Sequence, residues 1–282
     1  MTSTKKILLL ASFLLVIGII GIAITFPYGN KEGTQETETV NIEEMDFNQL
    51  KVSADNATVN ILSSNEESPR VEYTSSKDNY DFNVETKEST LNINAEEKRL
   101  DFFNIDFLLF ETPSIHVYLP DKALENLQTK TDNGKITASN IEATKIYLST
   151  DNGKINAEQI ASDLHAETSN GKITLNQVAG EVNVTTNNGK IEIQQATNNI
   201  VAKTDNGSIT ISNENLNNPM DLQTSNGKII VNTGTELTNA TLDLRTDNGS
   251  ITVFGTKDWD TVYGSGENLI KMRTNNGSIT IE

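Results

Sequence analysis

The chain of 282 residues contains no cysteine. That absence excludes disulfides, thiolate-bound metals and a cysteine nucleophile. Histidine is nearly as scarce. His116 and His165 are the only two, which leaves little basis for histidine-ligated metals or His-dependent triads. Both fall on the polar phase of alternating stretches, "SIHVYLP" and "DLHAE", as solvated surface imidazoles do. Positive charge is also short: 22 Lys and Arg stand against 39 Asp and Glu, a net charge of −17. Nucleic-acid binders need clustered cations against phosphate, so no nucleic-acid partner is expected, and the charge favours solubility instead. Helical period is missing everywhere except at the N-terminus.

That exception is the one long apolar run, Ile7 to Phe26, preceded by Lys5 and Lys6. At about 1.5 Å per residue it matches a hydrocarbon core about 30 Å thick. It exceeds a signal-peptide core and lacks an A-x-A cleavage pattern, so an uncleaved anchor is expected over 7–26. The lysines place residues 1–6 in the cytoplasm, with everything later outside a cell membrane crossed once. A large exported domain without cysteine fits a bacterial, Gram-positive surface protein. The Asn-x-Ser/Thr matches at Asn206, Asn248 and Asn276 then read as by-products of a repeat rather than glycosylation sites.

Residues 27–40 are polar and aperiodic, a tether. Over 41–126 the sequence alternates, as in Val71/Tyr73, Leu91/Ile93 and Ile115/Val117/Leu119, with turn-like breaks between, which predicts β-strands. From 127 to 282 one hexapeptide dominates, "TDNGKI" and its variants. Its pairs are Asn133-Gly134, Asn152-Gly153, Asn170-Gly171, Asn188-Gly189, Asn206-Gly207, Asn226-Gly227, Asn248-Gly249 and Asn276-Gly277. The glycines are spaced by 19, 18, 18, 18, 20, 22 and 28 residues, and a period near twenty with growing insertions marks a solenoid or array.

Three residues after each Asn comes Ile (136, 155, 173, 191, 209, 229, 251, 279), and two before it comes Thr. Six before the Asn, and five after it, the residue is again almost always aliphatic. Hairpins with an Asn-Gly type I′ loop fit this locally. Stacked coils fit it better, because only stacking needs both a constant period and the same inward residue each time. In that reading Asn-Gly turns a corner with Asn or Gly at positive φ, and asparagine amides bond up a ladder. "LKVSADNATVNI" (50–61) carries the same register, with Ala57 in place of Gly, a degenerate first coil. About nine coils are expected. Rod ends need covers. The aromatic stretch 100–113 is the candidate N-terminal cap, with Trp259 and Tyr263 at the other end. Without such a cover, Ser278 to Glu282 would be a strand edge open to another chain.

The lead-in "SIHVYLPDKALENLQTKTDNGKI" and the serial T-x-N-G-[KS]-I units resemble the candidate-adhesin β-strand-repeat family, part of the toastrack-type β-helix superfamily of bacterial envelope proteins. The resemblance spans about residues 41–282. It implies an all-β, single-stranded right-handed β-solenoid (β-helix) of about 18–22-residue coils behind the transmembrane helix. It also implies a surface role, adhesive or linked to envelope-stress sensing beside membrane regulators, and brings no catalytic residues with it.

Several groups are candidates for chemistry. Lys135, Lys154, Lys172 and Lys190 follow Gly in successive coils and Lys228 follows after a Ser, a basic stripe suited to an anionic cell-wall polymer or lipid head groups. Asp132 and Asp151 are their nearest counterions in sequence. Asp205 and Asp247 extend that aspartate position, but Ser169, Asn187, Ser225 and Asn275 interrupt it, so no metal and no cofactor is expected. Phe102, Phe103, Phe107 and Phe110 form either the cap or a membrane- or partner-contact loop. A non-enzymatic binding module is the reading. Its alternatives are a glycan lyase or hydrolase built on Asp258, Asp260 and Glu267 of the longest insertion, or a passive spacer.

Overall fold

A computed structural model describes residues 36–43, 46–75, 80–98, 112–216 and 218–282. The apolar run at 7–26, the tether up to residue 35 and Phe102, Phe103, Phe107 and Phe110 lie outside the described residues.

Among the described residues there are 22 strands, joined in one curled sheet, and no helix. Alternation sets the element type. In Ile136–Thr150 the residues Ile136, Ala138, Ile146 and Leu148 are buried, while Thr137, Lys145 and Tyr147 between and beside them are not. Successive copies pair in parallel with like over like: Ile155 sits beside both Ile136 and Ile173, and Leu164 beside both Ile146 and Val182. These are stacked rungs rather than antiparallel hairpins. Most rungs supply four or five apolar side chains to one continuous interior, such as Leu164, Ala166, Ile173, Leu175 and Val178 at Gly171, the larger ones worth about 2 kcal/mol of burial each.

The corner explains the hexapeptide, and it corrects one expectation. None of the corner Asn or Gly residues has positive φ. Glycine is there for contact instead: a Cβ on Gly153, Gly171, Gly189 or Gly207 would lie 1.7–1.8 Å from the carbonyl oxygen of the glycine in the preceding rung. The Thr two residues before each Asn closes the same corner, its hydroxyl donating to that carbonyl, as in Thr150 to Gly134 and Thr168 to Gly153 at 3.0 Å. Outside the corner the amides form the ladder. Each Asn donates to the Asn of the preceding rung in the stack, from Asn133 to Asn56 at one end to Asn248 on Asn276 at the other, at 2.5–3.1 Å. In Asn206, Asn248 and Asn276 the nitrogen that a glycan would modify is therefore committed to a neighbour. Around Ala57, where the repeat has Gly, Asn56 donates to Glu97 and the Thr58 N–H to the Pro113 carbonyl.

The stacking order departs from chain order at both ends. The last segment, Asn268–Asn276 with Ile279–Ile281, is inserted between the Gly227 and Gly249 rungs: Ile279 pairs with Ile229 on one side and Ile251 on the other. At the other end Gln49–Ala54 lies between Thr90–Glu97 and Leu124–Thr131, so the chain's first rung is second in the stack. The Ser278–Glu282 terminus is thus an interior rung, not an open edge. Ile251 and Leu244 of the Gly249 rung take the outermost place and are only half-buried, where Ile279 and Met272 are fully buried.

Antiparallel strands finish the N-terminal end. Arg70–Ser75 pairs with Ser114–Pro120, Glu36–Asn41 with Arg70–Ser75, and Tyr80–Lys87 with Thr90–Glu97. Residues 36–40, read as tether, are therefore strand, because Thr37 and Thr39 alternate with Val40 against this sheet. Tyr73 stacks on Phe82 with ring centroids 4.6 Å apart, so the described residues supply an aromatic cover of their own. At the far end Val262–Tyr263 pairs with Ala240–Thr241, and Trp259 and Tyr263 pack on the core.

Candidate functional site

Corner geometry fixes the lysines. Each begins the strand that leaves an Asn-Gly corner, with its carbonyl accepting from the Ile of the rung before it: Lys154 from Ile136, Lys172 from Ile155, Lys190 from Ile173 and Lys228 from Ile209. Lys135, Lys154, Lys172 and Lys190 thus stand on four consecutive rungs, about 4.8 Å apart, with Ser208 between them and Lys228. Beyond the stripe, on the same outward phase, lie Thr137, Asn156, Thr174, Glu192 and Thr210.

The stripe's carboxylate partner among the described residues is Glu192, rather than Asp132 or Asp151. Lys172 and Lys190 approach its two oxygens at 2.5 and 2.6 Å. The corner aspartates lie at the turn, whereas Glu192 follows Lys190 by two residues and so shares its face, a signal that strand period alone gives. Hydrogen bonds from Lys172, then Lys190, hold the Glu192 carboxyl below the usual range against the opposing effect of burial. With its folded value lowered, the pair stabilises above the ordinary glutamate value and is lost as pH falls below it. Lys135, Lys154 and Lys228 make no ion pair within the described residues and are exposed.

On the other sheet face the Tyr147 and His165 rings stack at 4.9 Å, and Glu167 accepts from Tyr147 and from Ser149, the latter at 3.0 Å. Burial tends to raise the Glu167 carboxyl, but bonds from Tyr147, Ser149 and His165 outweigh it and bring the group below its usual value. His116 lies 3.2 Å from Asn60. Both imidazoles are half-buried in networks rather than freely solvated. Ser149 donates to Glu167 rather than to His165.

The insertion carboxylates do not converge. Glu267 accepts from Asn239 at 3.0 Å, holding two loops together, while the Asp258 and Asp260 side chains are exposed. Among the described residues no three His, Cys, Asp or Glu side chains are placed to hold a metal ion, and no helix is long and apolar enough to cross a membrane.

Parallel rungs, a threonine-tied glycine corner and an external amide ladder define a β-solenoid of the toastrack kind, with one outward face marked by stacked lysines. The chain belongs to the Toastrack DUF4097 family, whose profile matches residues 47–282. Among solved structures it resembles a candidate adhesin from Bacteroides fragilis NCTC 9343, at 14% identity over 88% of this chain and 97% of that one with a TM-score of 0.51. A candidate lipid-binding protein from Parabacteroides distasonis ATCC 8503 aligns at 17% identity over 88% and 97% of the two chains, with a TM-score of 0.48. No curated protein matches.

Proposed function

We propose that this chain is a non-enzymatic binding module, displayed outside a cell membrane by the apolar run at 7–26, that holds an anionic envelope polymer on its lysine face. An adhesive role or one in envelope-stress sensing, beside regulatory membrane proteins, follows from such a placement. The coil is taken as right-handed, the hand that crossover connections favour. One observation carries the reading: four consecutive rungs present Lys135, Lys154, Lys172 and Lys190 on one face, and Glu192 meets only the last two. Like charges held about 4.8 Å apart repel, and a polyanion running along the stack relieves that repulsion at several points at once.

Retention of the full-length protein on immobilised polyglycerol phosphate tests it. The triple variant Lys135→Glu/Lys154→Glu/Lys228→Glu is expected to lose binding by about tenfold or more, and wild-type binding to fall steeply with salt. Equal retention of the triple variant, or salt-independent binding, contradicts the proposal.

A further inference from the structure

The rungs have a second corner, at the far end of the strands that carry the lysines. It is turned by residues with positive φ: Asn140 (56°), Gln159 (54°), Gln177 (55°) and Gln195 (53°). They stand in line, since Asn176 pairs with Glu158 and Gln194, and Val178 with Ile160 and Ala196. Glycine takes this conformation freely and asparagine tolerates it, but glutamine is strained there. The corner's geometry alone is therefore better served by another residue, which directs attention to the side chains. At the Asn-Gly corner every amide is used in the ladder. Here the side-chain amides of Gln177 and Gln195 are exposed and bond to no protein group among the described residues.

Just past Gln195 the row is closed by a different device. Asn213 is buried where the next rung's backbone would run, and its amide grips both sides of Ala196, donating to the carbonyl at 2.9 Å and accepting from the N–H at 3.1 Å. Asn218 donates to the Thr197 carbonyl at 2.5 Å. Two amides thus hold this stretch of chain beside the row and leave an open groove of about 610 Å³, within the size range of ligand sites. Gln177, Gln195, Asn215, Thr197 and Glu214 line it, and among the described residues no Lys or Arg does.

We infer that this groove is a binding site for a short neutral glycan, separate from the lysine face. Amide side chains both donate and accept, which suits hydroxyl and acetamido groups. Glu214, with no Lys or Arg among the described lining residues, repels phosphate or carboxylate. The groove spans three rung positions about 4.8 Å apart, a length suited to an oligosaccharide rather than to a polymer lying along the whole stack. Its lining has no aromatic platform, so binding rests on hydrogen bonds and is modest in affinity.

Calorimetric titration of the full-length protein with N-acetylglucosamine hexamer and with maltohexaose separates acetamido from hydroxyl recognition, with polyglycerol phosphate as the charged comparison. At least one neutral oligosaccharide is expected to bind, with little dependence on salt, and about tenfold more weakly to Gln177→Leu/Gln195→Leu. Gln177→Gly/Gln195→Gly removes the amides while relaxing the corner, and is expected to lose binding without lowering the melting temperature. The lysine triple variant should bind the neutral probe as wild type does, so failure of the polyanion reading leaves this result intact. If neither oligosaccharide binds, or if the leucine variant binds as tightly as wild type, the assignment falls.

Discussion

Gly171→Ala is expected to lower the melting temperature by about 10 °C or more, with the transition followed by circular dichroism. The added Cβ would lie 1.7 Å from the Gly153 carbonyl oxygen, 2.7 Å from its carbon and 2.9 Å from Thr168 Oγ1. Two of those atoms are backbone, fixed from both sides by the rungs above and below, so no side-chain rotation relieves the clash. The rungs must part at the corner, which lengthens the Thr168 bond to Gly153 and the Asn170 bond to Asn152 together. Overpacking with backbone displacement and loss of two bonds amounts to about 4 kcal/mol, and about 2–4 °C per kcal/mol applies to a domain of this size. Gly234→Ala is the control. Its Cβ would come no nearer than 3.4 Å to any atom beyond its chain neighbours and its φ is not left-handed, so its stability should change by less than about 1 kcal/mol. If the two variants melt alike, close approach does not explain the repeated glycine.

The second large effect distinguishes two isoleucines that the sequence treats as equals. Ile279→Ala is expected to cost about 3–4 kcal/mol, the usual price of emptying a fully buried aliphatic site. Ile251→Ala should cost about 1–2 kcal/mol, because its side chain is already partly exposed at the end of the stack. Stacking in chain order would give the reverse, with Ile279 on the outside. Urea denaturation of the two variants, compared at constant m-value, reads the difference.

That contrast marks what the residues made legible. The inward Ile and Thr rows and the stacked amides follow from period two on either side of Asn-Gly, and the structure places them accordingly, apart from the half-buried Ile251 and Thr246 of the outermost rung. The reason for glycine was not legible in the same way. Asn-Gly usually signals positive φ, and a sequence does not distinguish a residue chosen for its dihedral from one chosen for lack of a side chain. Positive φ lies instead at the second corner, under Gln159, Gln177 and Gln195, where nothing in the residue type announced it.

Stacking order was hidden for a related reason. Rungs with the same inward residues accept one another as neighbours in any order, so the local pattern holds no ranking. What permits the exchange is connection length. The long insertion between Val253 and Asn268 lets the chain step outward, turn through Val262–Tyr263 and return one rung further in. At the candidate site the lysine stripe was readable because stacking turns a sequence period into a spatial row. Its partner Glu192 was passed over for the aspartates nearer in sequence, although strand alternation puts residues 190 and 192 on one face. His165 and Glu167 share one strand face, but Tyr147 meets them only across rungs, a juxtaposition that needed the register of 147 on 165.

Because the chain has no cysteine of its own, paired cysteines report the stacking without background. Thr280 pairs with Ile230 on one side and Thr252 on the other, all on the outward phase. Neighbouring rungs lie about 4.8 Å apart and alternate ones about 10 Å, while a disulfide spans Cα atoms no more than about 7 Å apart. Mild oxidation should therefore link Ile230→Cys/Thr280→Cys and leave Ile230→Cys/Thr252→Cys reduced, as read by mass spectrometry of the digested protein. Linkage of the 230/252 pair with the 230/280 pair left free would show that these rungs do not lie over one another as described.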